Sequence, residues 1–431
     1  MNKIIVYYIV LFCTNLFSQQ STNNAILNTS ETIEQKVIEW RRDFHQNPEL
    51  SNREVKTAKK IADHLKSLGL SVTENVAKTG VVAILKGNQA GKTVALRADI
   101  DALPVTERTN VLFKSNVKTT FLDKEVGVSH ACGHDTHTAI LMGVAEVLSQ
   151  HKDKIKGTVK FIFQPAEEGP PPGEEGGAKL MIKEGVLTNP DVDAIFGLHI
   201  NSGTPVGTIR YRPEGTMASV ERFVINVKGK QTHGSAPWSG TDPILISAKI
   251  IDGLQTVISR DAKLVDGAAV VTVGKITSGV RFNIIPESAE LIGTVRTLDK
   301  DMRATIIKRM NEMVPAIAKA YGGSATIEFQ NNTSITYNDP KLVEQMLPTL
   351  QNVAGIKKVE LAKASTGGED FSYFQEVVPG FYFFLGGMSP DTKPENAPAH
   401  HTPNFYIDES GMLLGVKVLS SLAIDYLNTN S

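Results

Sequence analysis

Five stretches of the sequence carry side chains able to bind a transition metal: His130-Ala-Cys-Gly-His134-Asp135-Thr-His137, Gln164-Pro-Ala-Glu167-Glu168-Gly169, Gly197-Leu-His199, His400-His401-Thr-Pro, and the carboxylates of Arg97-Ala-Asp99-Ile-Asp101. Cys132 and His134 are two apart, and in an extended segment such residues point to one face, so both could reach one metal centre. A thiolate beside an imidazole favours zinc-like ions. Glu167 and Glu168 follow the run Lys160-Phe-Ile-Phe-Gln164 and then Pro165, which places them at a strand end. Adjacent strand residues face opposite ways, so both carboxylates can serve one site only where the backbone turns. There one carboxylate can bind metal while its neighbour takes a proton from water acidified by the metal charge.

Each feature alone has an ordinary explanation: a buried cysteine in the core, a glutamate pair in a solvated loop, histidines satisfied by packing. Convergence changes the weighing. His199 is expected to end the apolar strand that begins at Ala194, and open α/β sheets gather their ligands at the carboxyl ends of strands. His45, His64 and His151 lack such settings and read as core or surface residues.

The elements needed to position these groups follow from periodicity. Apolar residues at helical spacing predict two helices between Glu31 and Leu70, and further helices at Thr136–Leu148 and Ala178–Lys183. Short apolar runs at Val81–Leu85, Val94–Ala98, Val159–Phe163 and Ala194–Leu198 read as strands. Strands alternating with helices indicate an α/β fold, a mainly parallel sheet covered by helices. Near Pro213 the pattern changes to β (Arg222–Val227), α (Pro243–Ser259), β (Ala268–Ile276), β (Ala289–Val295), α (Met302–Tyr321) and β (Ala325–Phe329), the order of a ferredoxin-like α+β domain. It reads as an insertion, since the first pattern resumes at Asp339. The expected limits are residues 30–212 and 332–431 for the catalytic part and 213–331 for the insert. Gly169–Gly177, rich in Pro, Gly and Glu, reads as a surface loop.

Composition excludes other classes. The 431 residues carry 45 Lys+Arg against 46 Asp+Glu, a balance that offers no broad attraction for nucleic acid or anionic lipid. Met1 to Lys3 followed by the apolar run Ile4 to Phe17 reads as a signal peptide over residues 1–19, shorter than the roughly 20 residues of a spanning helix. No later stretch is expected to span a membrane, so the mature protein is expected to be soluble and exported, to the periplasm or beyond. Of the two cysteines, Cys13 falls in that leader, which leaves Cys132 as a lone thiol and excludes an intramolecular disulfide.

The sequence resembles the di-metal N-acyl-amino-acid amidohydrolases, the hippurate and auxin-conjugate hydrolases related to aminoacylase and carboxypeptidase G. The resemblance runs from about Trp40 to Leu422. It rests on Arg97-Ala-Asp-Ile-Asp-Ala-Leu-Pro104, Ala131-Cys-Gly-His-Asp-Thr-His137, Gln164-Pro-Ala-Glu-Glu168, Gly229-Lys-Gln-Thr-His-Gly234, Asn283-Ile-Ile-Pro286, Gly367-Gly-Glu-Asp-Phe371 and His401-Thr-Pro403. It implies that Cys132, His134, Glu168, His199 and His401 bind two divalent ions, zinc or manganese, with cobalt or nickel as options. It also implies that Glu167 is the general base, that the insert is a lid and dimerisation domain of a homodimer, and that its His233 polarises the amide carbonyl. Asn283, Gly367 and Gly368 would hold the substrate, and Asp101 would orient a ligand. The implied reaction is hydrolysis of an acylated amino acid; an exported dipeptidase or carboxypeptidase and a non-catalytic ligand-binding protein are the competing readings. The Pro170–Gly177 stretch looks longer than the usual link in this family, so the rim of the substrate pocket is expected to differ.

Overall fold

The computed structural model describes residues 23–429; the leader expected at residues 1–19 lies outside the described residues. The described chain forms two units. The first holds the residues up to Pro213 with Asn338–Ala362 and the chain from Tyr373 on, and the second holds Glu214–Tyr337 with Lys363–Ser372. The sequence limits give Lys363–Ser372 to the catalytic part. It groups instead with the second unit, where the Ala218 N–H donates to the carbonyls of Ser365 and Gly367 at 3.1 and 3.0 Å.

In the first unit eight strands form one sheet: β1 Ser71–Val76, β2 Gly80–Lys86, β3 Gln89–Asp99, β4 Lys156–Gln164, β5 Ala194–Pro205, β6 Ile209–Tyr211, β7 Val359–Leu361 and β8 Gly380–Met388. Their order is β1-β2-β4-β3-β5-β8-β6-β7. The four central strands β4, β3, β5 and β8 are mutually parallel. Parallel strands are covered on both faces, which demands unbroken apolar runs. Phe161, Ile162 and Phe163 of β4 and Phe381, Tyr382 and Phe383 of β8 are accordingly all fully buried.

The register brings chemistry to one edge. Asp99, the last residue of β3, pairs with Gln164, the last of β4, and Arg97 lies opposite Gly197 of β5, two residues before His199. β5 does not stop at His199 as its apolar run implies. It continues to Pro205 because Asn201 and Pro205 still pair with Gly386 and Met388 of β8. Nor is Cys132–His134 extended. Gly133 takes φ +105°, where a Cβ would stand 2.3 Å from Ile200 Cγ2, and His134 is already the first residue of the helix His134–Gln150. The chain enters the helix through a left-handed residue, a conformation that glycine adopts without a Cβ penalty.

A second turn follows β4. Ala166 takes the left-handed φ of +53°, uncommon for a residue with a Cβ. Its N–H donates to Oε1 of Glu54 at 2.9 Å, while Thr79 donates its hydroxyl to Oε2 at 2.6 Å. Glu54 is fully buried, and burial together with the nearby charge of Asp101 raises its carboxyl to about 7. A different device holds the far side of β4. Lys160, 2% exposed, donates from Nζ to the carbonyls of Val186, Thr188 and Pro190 at 3.0, 2.8 and 3.0 Å, so one cation closes three backbone acceptors.

The segment Glu409–Asn428 is long and apolar enough to cross a membrane, contrary to the expectation that no later stretch is. Its most apolar window is 72% buried, the signature of a core helix. Val416, Leu419, Leu422 and Ala423 belong to the hydrophobic core beneath the sheet.

The second unit has the four-stranded antiparallel order (Ala269–Ser278)-(Ser288–Thr297)-(Ser219–Lys228)-(Ser324–Thr333). That is the ferredoxin-like arrangement. Two helices complete it, Pro243–Thr256 and Lys300–Ala320, begun by the caps Asp242 and Asp299. Ile246, Ile250 and Leu254 on one helix, and Ile306, Met310, Val314 and Ala318 on the other, sit at four-residue spacing and bury with Phe223, Ile225 and Val227 of the central strand.

Two outcomes are expected. A carboxyl raised to about 7 favours the folded state fully below its ordinary value of 4.5, and that contribution disappears as pH climbs through 7. Glu54→Gln cannot ionise, so its melting temperature relative to wild type is expected to rise between pH 5 and pH 8; a flat difference across that range contradicts the assignment. Lys160→Met leaves three buried carbonyls unanswered at a cost of about 3 kcal/mol, and is expected to lower Tm by roughly 5 °C or more. An unaltered melting curve contradicts the cage.

Candidate metal centre

The carboxyl edge of the first unit's sheet collects five imidazoles, one thiol and four carboxylates, and their remaining lone pairs decide which can take a metal. His137 has none to spare: Nδ1 lies 2.6 Å from Asp99 Oδ1 and Nε2 accepts the Ile200 N–H at 2.8 Å. His400 is likewise engaged, with Nδ1 3.1 Å from the Cys132 carbonyl and Nε2 accepting the Ser202 N–H at 3.3 Å. Both Asp99 oxygens are taken, one by His137 and one by Arg97 Nη1 at 2.7 Å. These three build the wall of the site.

His134, His199 and His401 differ. His134 turns Nδ1 to Asp101 at 3.1 Å, and its buried Nε2 points at carboxylates, 3.8 Å from Glu167 Oε2 and 4.0 Å from Glu168 Oε1. His199 donates Nδ1–H to the Ile200 carbonyl at 2.6 Å, which leaves the Nε2 lone pair 3.4 Å from Cys132 Sγ. His401 Nε2 lies 3.3 Å from the same sulfur and 3.0 Å from Glu168 Oε1. Donors bound about 2.0–2.3 Å from a tetrahedral metal stand about 3.3–3.7 Å apart. The sulfur, imidazole and carboxylate separations fall close to that range.

The electrostatics ask for cations. Burial, then the charge of Glu168, pushes the Cys132 thiol up, against the thiolate a metal needs. Hydrogen bonds to Cys132 and then Glu168 raise His401 to about 10, so its imidazolium stands as counter-charge beside the Glu168 carboxylate. Burial, with His137 and His400 alongside, holds His199 well below the usual imidazole range, and it is neutral, as a ligand must be. Burial disfavours the imidazolium of His134, yet the negative charge of Asp99 and the bond to Asp101 lift it well above that range. A divalent ion answers the same excess of negative charge better than these protons do, so the donor set fits one.

Asp101 is the common support. Oδ1 receives His134, while Oδ2 accepts the Ser51 hydroxyl at 2.7 Å and the Glu168 N–H at 3.1 Å. One buried carboxylate thus fixes the tautomer of one ligand and the backbone of another. Behind His134, Asp135 accepts Arg41 Nε and His45 Nδ1, each at 2.8 Å, so His45 belongs to the frame under the site although its sequence setting gave no sign of it. The Glu54 contact to Ala166 had no sequence signal either, because a glutamate in a polar loop between helices looks solvated.

The other expected site residues lie in the second unit. His233 sits on the two-residue strand Thr232–His233 paired with Ile284–Ile285, exposed, with Nδ1 2.7 Å from Ser235 Oγ. Asn283 is next to it, since its carbonyl accepts the Gly234 N–H at 2.9 Å. Gly367 is linked to Ser365 Oγ and Ala218, and a Cβ on Gly368 would meet Val220 Cγ2 at 2.4 Å.

Known proteins resemble the chain over most of its length. The chain is 41% identical over 403 residues to thermostable carboxypeptidase 2 of Saccharolobus solfataricus, covering 93% of this chain and 98% of that one. It is 38% identical over 395 residues to the N-acetylcysteine deacetylase of Bacillus subtilis, 91% of this chain and 97% of the relative. Among solved structures, the Bacillus subtilis YXEP protein, described as a dinuclear metal-binding peptidase, superposes with a TM-score of 0.77 at 36% identity, covering 93% and 99%. Residues 95–425 match the model of peptidase family M20/M25/M40, and with the long relatives above this places the chain: it belongs to that family.

Proposed function

We propose that this chain is a metal-dependent hydrolase that splits N-acyl amino acids into a carboxylic acid and a free amino acid. The carrying observation is the clustering of Cys132, His134, Glu168, His199 and His401 with a further carboxylate, Glu167, 3.8 Å from His134 Nε2. Those five would hold two divalent ions, zinc or manganese first among the candidates. When bound, such ions polarise an amide carbonyl and acidify the attacking water. Glu167 takes the proton of that water and returns it to the leaving nitrogen, since it stands beside the ligands without being needed as one. Asp101 holds the Glu168 backbone and His134, and the Glu54 bond to Ala166 aims the turn that presents Glu167. His233 would stabilise the carbonyl oxygen, with Asn283 and the Gly367-Gly368 backbone receiving the rest of the substrate.

The relatives support this range of substrates, one named a deacetylase of an acylated amino acid and another a carboxypeptidase. The two activities share a chemical object: a peptide with a free terminal carboxylate is itself an N-acyl amino acid. The second unit further supports a homodimer. Ile276 on its edge strand and Val280 and Phe282 beyond it are 50, 98 and 96% exposed, an apolar margin beside unpaired backbone groups. The basic and apolar leader supports export before action.

Glu167→Ala is expected to keep the wild-type metal content by elemental analysis and to lose at least a thousandfold in kcat on acetyl or benzoyl amino acids. Near-normal turnover contradicts the base. Phe282→Glu combined with Ile276→Glu is expected to halve the molar mass measured by light scattering; a monomeric wild type, or an undisturbed dimer, contradicts that margin as the interface.

A further inference from the structure

We infer that Asn52 and Glu174 are positioning residues for the glutamate pair, closing a strap that holds the Glu167-Glu168 turn from its far end. This rests on the hydrolase reading above, in which Glu167 is the base and Glu168 a metal ligand. The consecutive residues Ser51 to Glu54 all bond the glutamate loop or its support. Ser51 bonds Asp101, which accepts the Glu168 N–H, and Glu54 accepts the Ala166 N–H. Asn52 Nδ2 donates to Glu174 Oε2 at 3.0 Å and to the Glu175 carbonyl at 3.1 Å, and Arg53 Nη2 donates to Glu174 Oε1 at 2.6 Å. One short segment thus grips the loop at both ends, with the glutamate pair at the near end.

The chain between the two grips is stiff. Pro170, Pro171 and Pro172 each have φ locked at about −65°. The Glu174 N–H then donates to the Pro171 carbonyl at 3.0 Å, closing a turn whose central residues are Pro172 and Gly173, the latter at φ +83°. Proline followed by glycine is the pair such a turn selects. A displacement at Glu174 is therefore carried back toward Glu168 rather than absorbed on the way. No residue from Gly169 to Glu175 is buried, so the strap secures no part of the hydrophobic core. What it holds is the glutamate turn.

Asn52 is the pin. Arg53 and Lys78, which also donates to Glu174 at 2.6 Å, are exposed, and exposed ion pairs contribute little each. Asn52 is 5% exposed, and its one amide group answers two acceptors of the loop. Hydrogen bonds from Arg53, then Lys78 and Asn52, hold the Glu174 carboxyl far below its ordinary range, so the acceptor is an anion at neutral pH. The Asn52 backbone takes φ +61°, a left-handed conformation that aspartate and glycine also tolerate. Its side chain can therefore be exchanged without forcing the backbone.

The test uses the full chain and compares Asn52→Asp with the double variant that adds Glu174→Gln. Asn52→Asp keeps size and backbone but turns the donor into an anion that repels Glu174. It is expected to lower kcat on acetyl or benzoyl amino acids about tenfold or more with little change in KM. Binding of one of two cobalt(II) equivalents by the demetallated chain is expected to weaken by a similar factor, with Tm close to wild type. The added Glu174→Gln removes the repulsion and offers an amide donor to the new carboxylate, and is expected to restore both values to within about threefold of wild type. A merely structural contact would move Tm and leave kcat and cobalt affinity alone. Unchanged kcat and cobalt affinity in Asn52→Asp, or a double variant no better than the single one, overturns the strap. Should Asn52→Asp not fold, Asn52→Gly deletes the amide and keeps the backbone, with the same losses expected and unchanged values again contradicting the strap. Failure of the metal-loaded wild type to hydrolyse any of these substrates overturns the hydrolase reading itself, and the cobalt titration then still decides on the strap.

Discussion

A single buried carboxylate carries the geometry of the centre. Asp101 receives the His134 imidazole on one oxygen and the Ser51 hydroxyl and the Glu168 amide on the other. Two ligands from distant parts of the chain, one opening a helix and one leaving a strand, are thereby held on one rigid anion. Asp101 is fully buried, so its charge is affordable only because every oxygen is answered by a donor. Remove that anion and His134 and the glutamate turn lose their shared reference.

The parallel sheet makes this convergence possible. Because β3 and β4 finish in register, Asp99, Asp101 and the glutamate turn leave the sheet at one level, with His199 beside them on β5. The site then sorts its imidazoles by what remains of their lone pairs. His137 and His400 spend both nitrogens on the protein, and His134, His199 and His401 each keep Nε2 directed at the thiol or the carboxylates. The adjacent pair His400-His401 shows the principle at its closest: His401 has a left-handed backbone at φ +61°, which turns it away from its neighbour's role.

Much of this was legible in residue types and periodicity. The apolar runs located β2, β3, β4 and β5 but not β8, and the alternation and helix spacing after Pro213 specified the ferredoxin-like order, because both patterns are written by burial on one or two faces. What stayed illegible depends on single backbone angles and long-range bonds. Nothing in Ala131-Cys-Gly-His134 announces that Gly133 takes a left-handed φ and that a helix begins at His134, so an extended reading was natural. Nothing after Ala194 says that β5 continues past His199, since Asn201 to Pro205 is largely polar and its pairing with β8 is made far along the chain. Glu54 and His45 carry no local sign of their roles because their partners, Ala166, Thr79 and Asp135, lie far along the chain.

The central claim, that one thiolate and its neighbours hold two cations, is tested most directly by titrating the demetallated chain with cobalt(II) and following the near-ultraviolet absorption. A thiolate-to-cobalt charge-transfer band that saturates at two equivalents per chain, and that Cys132→Ala abolishes, is the expected result. Absence of that band in the folded wild type, or its persistence in Cys132→Ala, would contradict it.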